Sequence, residues 1–172
     1  HQGRHAQRRI HLAGLMSDDA AVAATGTRRE GRERVLGLLY EAELKGVPLD
    51  ELVAELPLPV RGYAGAIAGE IGPEMAAIDT LIEDASHRWK LARMPAIDRA
   101  LLRMATYELA HRPDVPAGAI ISEAVELAAS YSTESSSRFV NGILARLATD
   151  LRPDEPSPVL EGDIDFEPDV NG

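Results

Sequence analysis

Apolar residues recur at steps of three and four positions along most of the chain between residues 27 and 151. This spacing places them on one face of an α-helix, as it does for Val35, Leu38, Leu39 and Ala42. No segment shows the sustained alternation of apolar and polar residues that is typical of a half-buried β-strand. The pattern therefore predicts packed helices and no sheet.

Capping and helix-breaking residues indicate where these helices begin and end. Thr27 and Glu30 have the spacing of a capping box, and Gly46 marks the end of the helix that this box opens. Further helices are predicted at 49–56, at 60–71, from Pro73 onward, at 97–111, from Pro116 onward, and in a last segment capped by Ser135–Ser137. The predicted fold class is all-α: a compact bundle of six or seven helices, or two small helical bundles packed together.

Charge divides the chain into three parts. The net charge is -10, but residues 152–172 alone carry seven acidic residues, one basic residue and four prolines. Such a composition cannot bury enough apolar surface to fold by itself, so we expect a disordered acidic tail there. We expect residues 1–26 to form a flexible N-terminal extension and residues 27–151 to form the helical domain.

Several classes of chemistry have no matching residues. The chain has no cysteine, which excludes disulfides, zinc–thiolate sites, iron–sulfur clusters and cysteine nucleophiles, and which fits a reducing compartment such as the cytoplasm. His87 and His111 have no partners at convincing ligand spacing, and no phosphate-binding glycine loop or nucleophile elbow is present. Glu123 and Glu126 are read as a solvated helix face. We therefore expect no metal, no cofactor and no enzyme activity.

The run RREGRER, residues 28–34, places four arginines in seven positions. A guanidinium fork matches the oxygens of a phosphate, and the start of a helix adds a partial positive charge. The same run also fits a solvated helix face on which Arg29 pairs with Glu33 and Glu30 pairs with Arg34. The residues by themselves leave both interpretations open.

Three stretches together resemble the NusB family of bacterial transcription antitermination factors. They are RREGRERVLGLLYEAEL (28–44), IDRALLRMATYEL (97–109) and VPAGAIISEAVELAASYSTESSSRFVNGIL (115–144), the last being the most specific. The resemblance implies an all-helical protein that binds boxA-type single-stranded RNA of ribosomal RNA operons. It also implies that NusE, a small-subunit ribosomal protein, binds jointly, and that both act within the RNA polymerase antitermination complex.

The resemblance also assigns site residues one by one. Those matching the RNA-binding positions of the family are Arg28, Arg29, Arg32, Arg34, Arg138, Phe139 and Asn141. Asp98, followed by Arg99, falls where the family places an acidic residue that faces NusE. Purely structural roles stay open as alternatives: core packing for Phe139, a helix crossing at Gly142, and a favourable helix-dipole position for Asp98.

Two alternatives to this function remain. The same type of domain occurs fused to ribosomal RNA methyltransferases as an RNA-holding module, and the chain could instead be a helical interaction module without RNA contact. The acidic tail adds a further question, because a tethered polyanion has a high effective concentration at a basic patch on the same chain. The tail either competes with RNA for the arginines or acts simply as a solubilising segment.

Overall fold

The computed structural model describes residues 27–87 and 89–156. The described residues form six α-helices: α1 (Arg28–Lys45), α2 (Leu49–Ala54), α3 (Gly62–Ser86), α4 (Ala96–His111), α5 (Ala117–Tyr131) and α6 (Glu134–Leu151), with a short 3₁₀ helix at Leu91–Arg93. No strand occurs among them, so the predicted all-α fold is confirmed. The expected extension at residues 1–26 and most of the expected tail, from residue 157, lie outside the described residues.

The start and end of α1 follow the predicted capping signals. The Thr27 hydroxyl accepts a hydrogen bond from the Glu30 amide at 3.3 Å, and the Glu30 carboxylate accepts one from the Thr27 amide at 3.0 Å. These two bonds form the capping box, which satisfies amides that have no partner inside the helix. The helix ends at Gly46, whose φ of +66° is readily adopted by glycine.

The prediction of two helices on either side of Pro73 is wrong, because α3 continues through this residue. Proline removes one amide donor, so the carbonyl of Gly69, four residues earlier, loses its helical partner. Gly69 is exposed, and the space beside its Cα is open, so water can bind the released carbonyl. Burial of Ile67, Ile71 and Ile78 along the whole helix stabilises the continuous form.

Helix α4 lies at the centre of the bundle and packs against α1, α3, α5 and α6. Its inward positions predicted from the sequence are all buried: Ile97, Leu101, Met104 and Ala105. Helices α1 to α3 pack together on one side, and α5 packs along α6 on the other. Because both halves share α4, their buried side chains join in a single apolar core.

The cap of helix α6 lies two residues before the first of the predicted caps. The cap is Thr133, whose hydroxyl oxygen accepts a hydrogen bond from the Ser136 amide at 3.0 Å. Ser135, Ser136 and Ser137 lie inside the first turn, so the expectation that they cap the helix is wrong. Thr133 comes before the serine run in the chain and also has a hydroxyl that can accept a hydrogen bond from a free helix amide, so it caps the helix first.

Arg152 and Glu155, which follow α6, bond the end of the domain to the α4–α5 connection. The Arg152 guanidinium donates to four carbonyl oxygens at 2.7–3.2 Å, those of Glu108, Leu109, Arg112 and Val115. The Glu155 carboxylate accepts a hydrogen bond from the Ala117 amide at 2.8 Å, at the start of α5, and pairs with Arg152. We call Arg152 and Glu155 the C-terminal clip. The first residues of the expected acidic tail, 152–156, are thus part of the folded domain.

Helices long and apolar enough to cross a bilayer are absent from the described part of the chain.

Candidate nucleic-acid interface

Two arginines of the run RREGRER are exposed at the start of α1. The side chains of Arg28 and Arg29 are 51% and 47% exposed. Arg28 lies 3.3 Å from the Asp114 carboxylate, and Arg29 donates to Glu126 at 2.6 Å and lies 3.8 Å from Glu33. The hydrogen bond to Glu126 raises the pKa of the Arg29 guanidinium. Both guanidiniums are accessible from solvent, and both are partly neutralised by the protein itself.

Arg32 belongs to the interior, because its side chain is 4% exposed. Its Nε atom donates to both carboxylate oxygens of Glu108, at 2.9 and 3.2 Å, and the Tyr63 hydroxyl donates to the same carboxylate. Burial raises the pKa of Glu108, and the hydrogen bond from Tyr63 and the charge of Arg32 oppose that rise. Phosphate contact and a solvated helix face, the two interpretations of the arginine run, both imply an exposed side chain. Arg32 is not exposed, since the face of α1 that carries it packs on α4.

The ring of Tyr63 holds three guanidiniums together. The Cζ atoms of Arg28, Arg32 and Arg112 lie 5.6, 5.4 and 5.7 Å from the ring centroid, within the range of cation–π attraction. This arrangement requires α3 to approach α1 closely. Gly31 permits the approach, because a Cβ atom there would lie 3.0 Å from the Tyr63 Cβ. Tyr63 therefore positions the exposed Arg28 over a rigid aromatic surface.

Arg34 points into a different environment from the exposed pair. Its side chain is half-buried, with the Nε and Nη1 atoms withdrawn from solvent. Glu30, one possible partner in the sequence, uses its carboxylate in the capping box of α1. The four arginines thus have three different surroundings, although they lie within seven residues of one another.

The predicted residues on α6 include one exposed cation and one packed aromatic ring. Arg138 is 72% exposed and lies 3.7 Å from Glu134, one turn earlier. The ring centroid of Phe139 lies 5.7 Å from that of Trp89, at an interplanar angle of 53°. Phe139 is half-buried at the edge of the core, so it packs internally and still presents part of its ring to solvent.

Asn141 and Gly142 follow on the same helix. The Asn141 Oδ1 atom is withdrawn from solvent and has no hydrogen-bond partner among the described residues. The space beside Gly142 is open, and the residue is exposed. The alternative that another helix crosses at Gly142 is therefore wrong for the described part of the chain.

Asp98 is a buried carboxyl rather than a surface charge, with 2% exposure. The Ser132 hydroxyl donates to it at 2.8 Å, which links the start of α4 to the turn between α5 and α6. Burial raises the pKa of Asp98, and hydrogen bonds from Ser132 and Ser136 oppose this shift. The position at the start of a helix matches the dipole interpretation, but direct contact with a partner would require exposure that Asp98 lacks.

Arg99, predicted beside it, acts as an internal connector. Its guanidinium donates to the carbonyl oxygens of Leu91 and Met94 at 2.7 and 2.6 Å and forms an ion pair with Glu43. Burial lowers the pKa of the Arg99 guanidinium. The residue thereby ties the 3₁₀ segment and α1 to the start of α4.

The structure therefore divides the predicted site residues by exposure. Arg28, Arg29 and Arg138 are available to a polyanion, whereas Arg32, Asp98 and Arg99 stabilise the fold. Residues from α3 and from the end of α4 also belong to the site, namely Tyr63, Glu108 and Arg112. No local signal identifies them, because tertiary packing brings them together over sequence separations of tens of residues.

The described residues offer no group of three or more histidine, aspartate and glutamate side chains arranged to hold a metal ion.

Comparison with known proteins relates this fold and these residues to one family. The model of the NusB family matches residues 29–149. The transcription antitermination protein NusB of Thermobifida fusca (strain YX) is 40% identical over 126 residues, which cover 71% of this chain and 89% of the relative. That of Kineococcus radiotolerans is 44% identical over 125 residues, covering 70% of this chain and 92% of the relative.

Solved structures give the same relationship. A crystal structure of T. maritima NusB is 35% identical, with a TM-score of 0.67, and the match covers 73% of this chain and 93% of that one. A protein chain in the crystal structure of a plectonemic RNA supercoil is 24% identical, with a TM-score of 0.61 and 74% of this chain covered. The second likeness extends to the fold alone.

Proposed function

This chain belongs to the NusB family of transcription antitermination proteins, and on that basis we propose that it binds boxA-type single-stranded RNA of ribosomal RNA operons together with NusE. The observation that carries the proposal is the exposure of Arg28 and Arg29 at the start of α1, beside a Tyr63 ring that holds Arg28 in place. Single-stranded RNA offers phosphates and unstacked bases at such a surface.

Phosphate contact is the main role of the exposed arginines in this proposal. Guanidinium groups form short, charge-assisted hydrogen bonds to phosphate oxygens, and two adjacent arginines at one helix start span neighbouring phosphates. Arg32 supports them from below, since its ion pair with Glu108 and its contact with Tyr63 fix the platform under Arg28. Arg34 is proposed to attract RNA to the same end of the domain through the long-range effect of its positive charge.

Base contact is proposed for the predicted residues of α6. Phe139 presents part of a ring on which an unpaired base can stack, and such stacking contributes about 1–3 kcal/mol per base. Asn141 carries an amide whose Oδ1 atom has no partner among the described residues, and we propose that it reads a base edge once the side chain has rotated towards solvent. Arg138, exposed next to them, is proposed to hold a phosphate of the same strand.

Joint binding with NusE, and action within the RNA polymerase antitermination complex, are also proposed from family membership. The surface for NusE is proposed at the start of α4. Asp98 and Arg99 would act there by shaping the surface, because both side chains bond inside the domain. The carboxylate and the guanidinium would hold α4 in register with the α5–α6 turn and with the 3₁₀ segment.

Fluorescence anisotropy with a labelled boxA-like single strand tests the proposal. The R28A/R29A double variant should bind at least about tenfold more weakly, and its Kd should depend less on salt. If the two arginines neutralise two phosphates, they contribute about -1.4 to the log–log salt slope, so a fourfold rise in salt costs about sevenfold in affinity through them.

Lys45→Ala provides the matched control, because it removes an exposed cation at the other end of α1, about 26 Å away. It should leave the Kd within about twofold of the original value. Addition of NusE should tighten RNA binding by the original protein. Equal Kd values and salt slopes for the R28A/R29A and Lys45→Ala variants would remove the α1 arginines from the RNA site.

A further inference from the structure

Besides Glu33 on α1 itself, 3.8 Å from Arg29, three acidic side chains from other parts of the fold surround the two exposed arginines, and together we call these three the acidic rim. They are Asp114 in the α4–α5 connection and Glu123 and Glu126 on α5. Asp114 lies 3.3 Å from Arg28, while Glu126 and Glu123 lie 2.6 and 4.0 Å from Arg29. The Asp114 and Glu126 carboxylates thus accept hydrogen bonds from guanidinium groups that could otherwise donate to phosphate oxygens.

We propose that the acidic rim competes with RNA for Arg28 and Arg29 and so sets the affinity and the salt dependence of this site. The inference rests on the proposed function, since it concerns the same arginines. In the free protein each arginine bonds a carboxylate of the domain. RNA binding exchanges that carboxylate for a phosphate and leaves the carboxylate to solvent.

The rim is held in place by the fold. The Arg152 guanidinium of the C-terminal clip bonds the carbonyl oxygens of Arg112 and Val115, which lie on either side of Asp114, at 2.8 and 3.1 Å. Glu126 lies in the third turn of α5, where the helix backbone fixes its position. These carboxylates therefore stay near the arginines through structure that does not depend on the ion pairs.

The expected effect follows from the exposure of the pairs. Asp114 and Glu126 are 61% and 55% exposed, and ion pairs between exposed side chains are weak. Release of one arginine from its carboxylate should therefore change RNA affinity by about two- to fivefold. Neutralisation also removes repulsion between the carboxylate and incoming phosphates, so the change has the same sign from both causes.

The salt dependence of RNA binding provides a second test of the competition, independent of the affinity itself. A carboxylate that RNA displaces becomes available to take up a cation from solution, which offsets part of the counterion release from RNA. Removal of that carboxylate should therefore make the log–log salt slope steeper. A purely structural effect of the substitution would change the affinity without this change of slope.

The opposite role is that the rim orients the arginines towards RNA. Carboxylates that hold a guanidinium in a productive geometry would strengthen RNA binding, so their neutralisation would weaken it. The two roles predict opposite signs for the same substitutions.

The experiment compares Asp114→Asn, Glu126→Gln and the double variant, by anisotropy at low salt with a labelled boxA-like single strand. Each single variant should bind about two- to fivefold more tightly and the double variant about tenfold, with a steeper salt slope. Non-cognate oligouridine should gain by the same factor, because the rim acts on phosphates. Glu126→Gln in an Arg29→Ala background should tighten binding less than it does with Arg29 present, since only the repulsion between the carboxylate and phosphates is then removed.

Glu41→Gln is the matched control, because Glu41 forms an ion pair with the exposed Lys45, at 2.8 Å, near the other end of α1. It should leave RNA affinity unchanged. Unchanged or weaker binding by the double rim variant, while the R28A/R29A variant binds poorly, would overturn the inference and leave the proposed function standing. Unchanged binding by the R28A/R29A variant would instead overturn the proposed function at this surface, and the inference with it.

Discussion

Arg29 and Arg32 lie three residues apart on α1 and carry the same charge, yet their surroundings have little in common. Arg29 reaches solvent and meets the exposed carboxylate of Glu126 on α5, whereas Arg32 meets the buried carboxylate of Glu108 on α4. An exposed pair exchanges easily with solvent ions and ligands. A buried pair cannot lose one member without leaving the other as an uncompensated charge.

The comparison shows how one short basic run serves two purposes. Residues three positions apart are separated by only about 60° around a helix, so the helical period alone does not distinguish the two arginines. Packing of α4 over the side that carries Arg32 makes this arginine interior and leaves Arg29 exposed. Arg32 and Glu108 hold Tyr63, and Tyr63 holds Arg28. The buried arginine therefore stabilises the platform on which an exposed one can bind a ligand.

The largest effect on the free energy of unfolding is expected from removal of the buried ion pair between Arg32 and Glu108. Arg32→Ala should lower the free energy of unfolding by about 3–5 kcal/mol, because Glu108 would remain buried without its cation. Arg29→Ala should change it by no more than about 0.5 kcal/mol, as is usual for exposed positions. Urea unfolding followed by circular dichroism measures both. Similar losses for the two variants would contradict the division between them.

A smaller effect is expected at the C-terminal clip, where a buried arginine bonds backbone carbonyls instead of a carboxylate of the core. Arg152→Ala should lower the free energy of unfolding by about 2–3 kcal/mol, because it removes the guanidinium donor of the Leu109 and Val115 carbonyl oxygens, whereas those of Glu108 and Arg112 keep a backbone amide. Arg146 is the control, since it is exposed and bonds the single carbonyl oxygen of Ala85 at 3.0 Å. A loss for Arg146→Ala equal to that for Arg152→Ala would refute the role of the clip.

The smallest effect concerns Asp98, a buried charge that bonds hydroxyls instead of a cation. Its pKa is raised in the folded protein, so the folded state binds this proton more tightly than the unfolded chain does. The stability that Asp98 contributes is therefore greatest at low pH. It falls as the pH rises from the ordinary aspartate pKa, about 3.9, through the raised value in the folded state.

Asp98→Asn should remove that pH dependence while it keeps an oxygen acceptor for Ser132. At pH 7 its free energy of unfolding should stay within about 1 kcal/mol of the original. Unfolding measured from pH 4 to 8 should show the original protein losing stability relative to the variant as the pH rises. A constant difference across this range would show that Asp98 does not titrate as described.

The sequence predicts much of the fold because helix signals are local. The capping box at Thr27 and Glu30, the stop at Gly46 and the buried face of α4 all appear as predicted. The prediction at Pro73 fails because it considers only the amide donor that proline lacks. Burial of apolar residues before and after Pro73 keeps the helix continuous. The start of α6 is misplaced because several hydroxyl residues in succession meet the same capping rule.

The site is less predictable, since burial of a charge is a tertiary property. Nothing within the run of arginines distinguishes Arg32 from Arg29, and the difference arises only when Glu108, 76 residues later, packs beneath α1. Asp98 shows the same limit, because its position at a helix start is visible in the sequence and its burial is not. The family resemblance supplies residue positions but carries no information about which of them this domain withdraws from solvent.

The C-terminal clip also bears on the order in which the protein folds during synthesis. Arg152 follows all six helices in the chain, yet it bonds carbonyl groups at the end of α4 and in the connection to α5. A nascent chain emerges from its N-terminus, so these carbonyl groups stay hydrated until the residues after α6 have left the ribosome. The bonds of the clip thus form only after the residues that follow α6 have emerged, and they close the connection on which Asp114 lies.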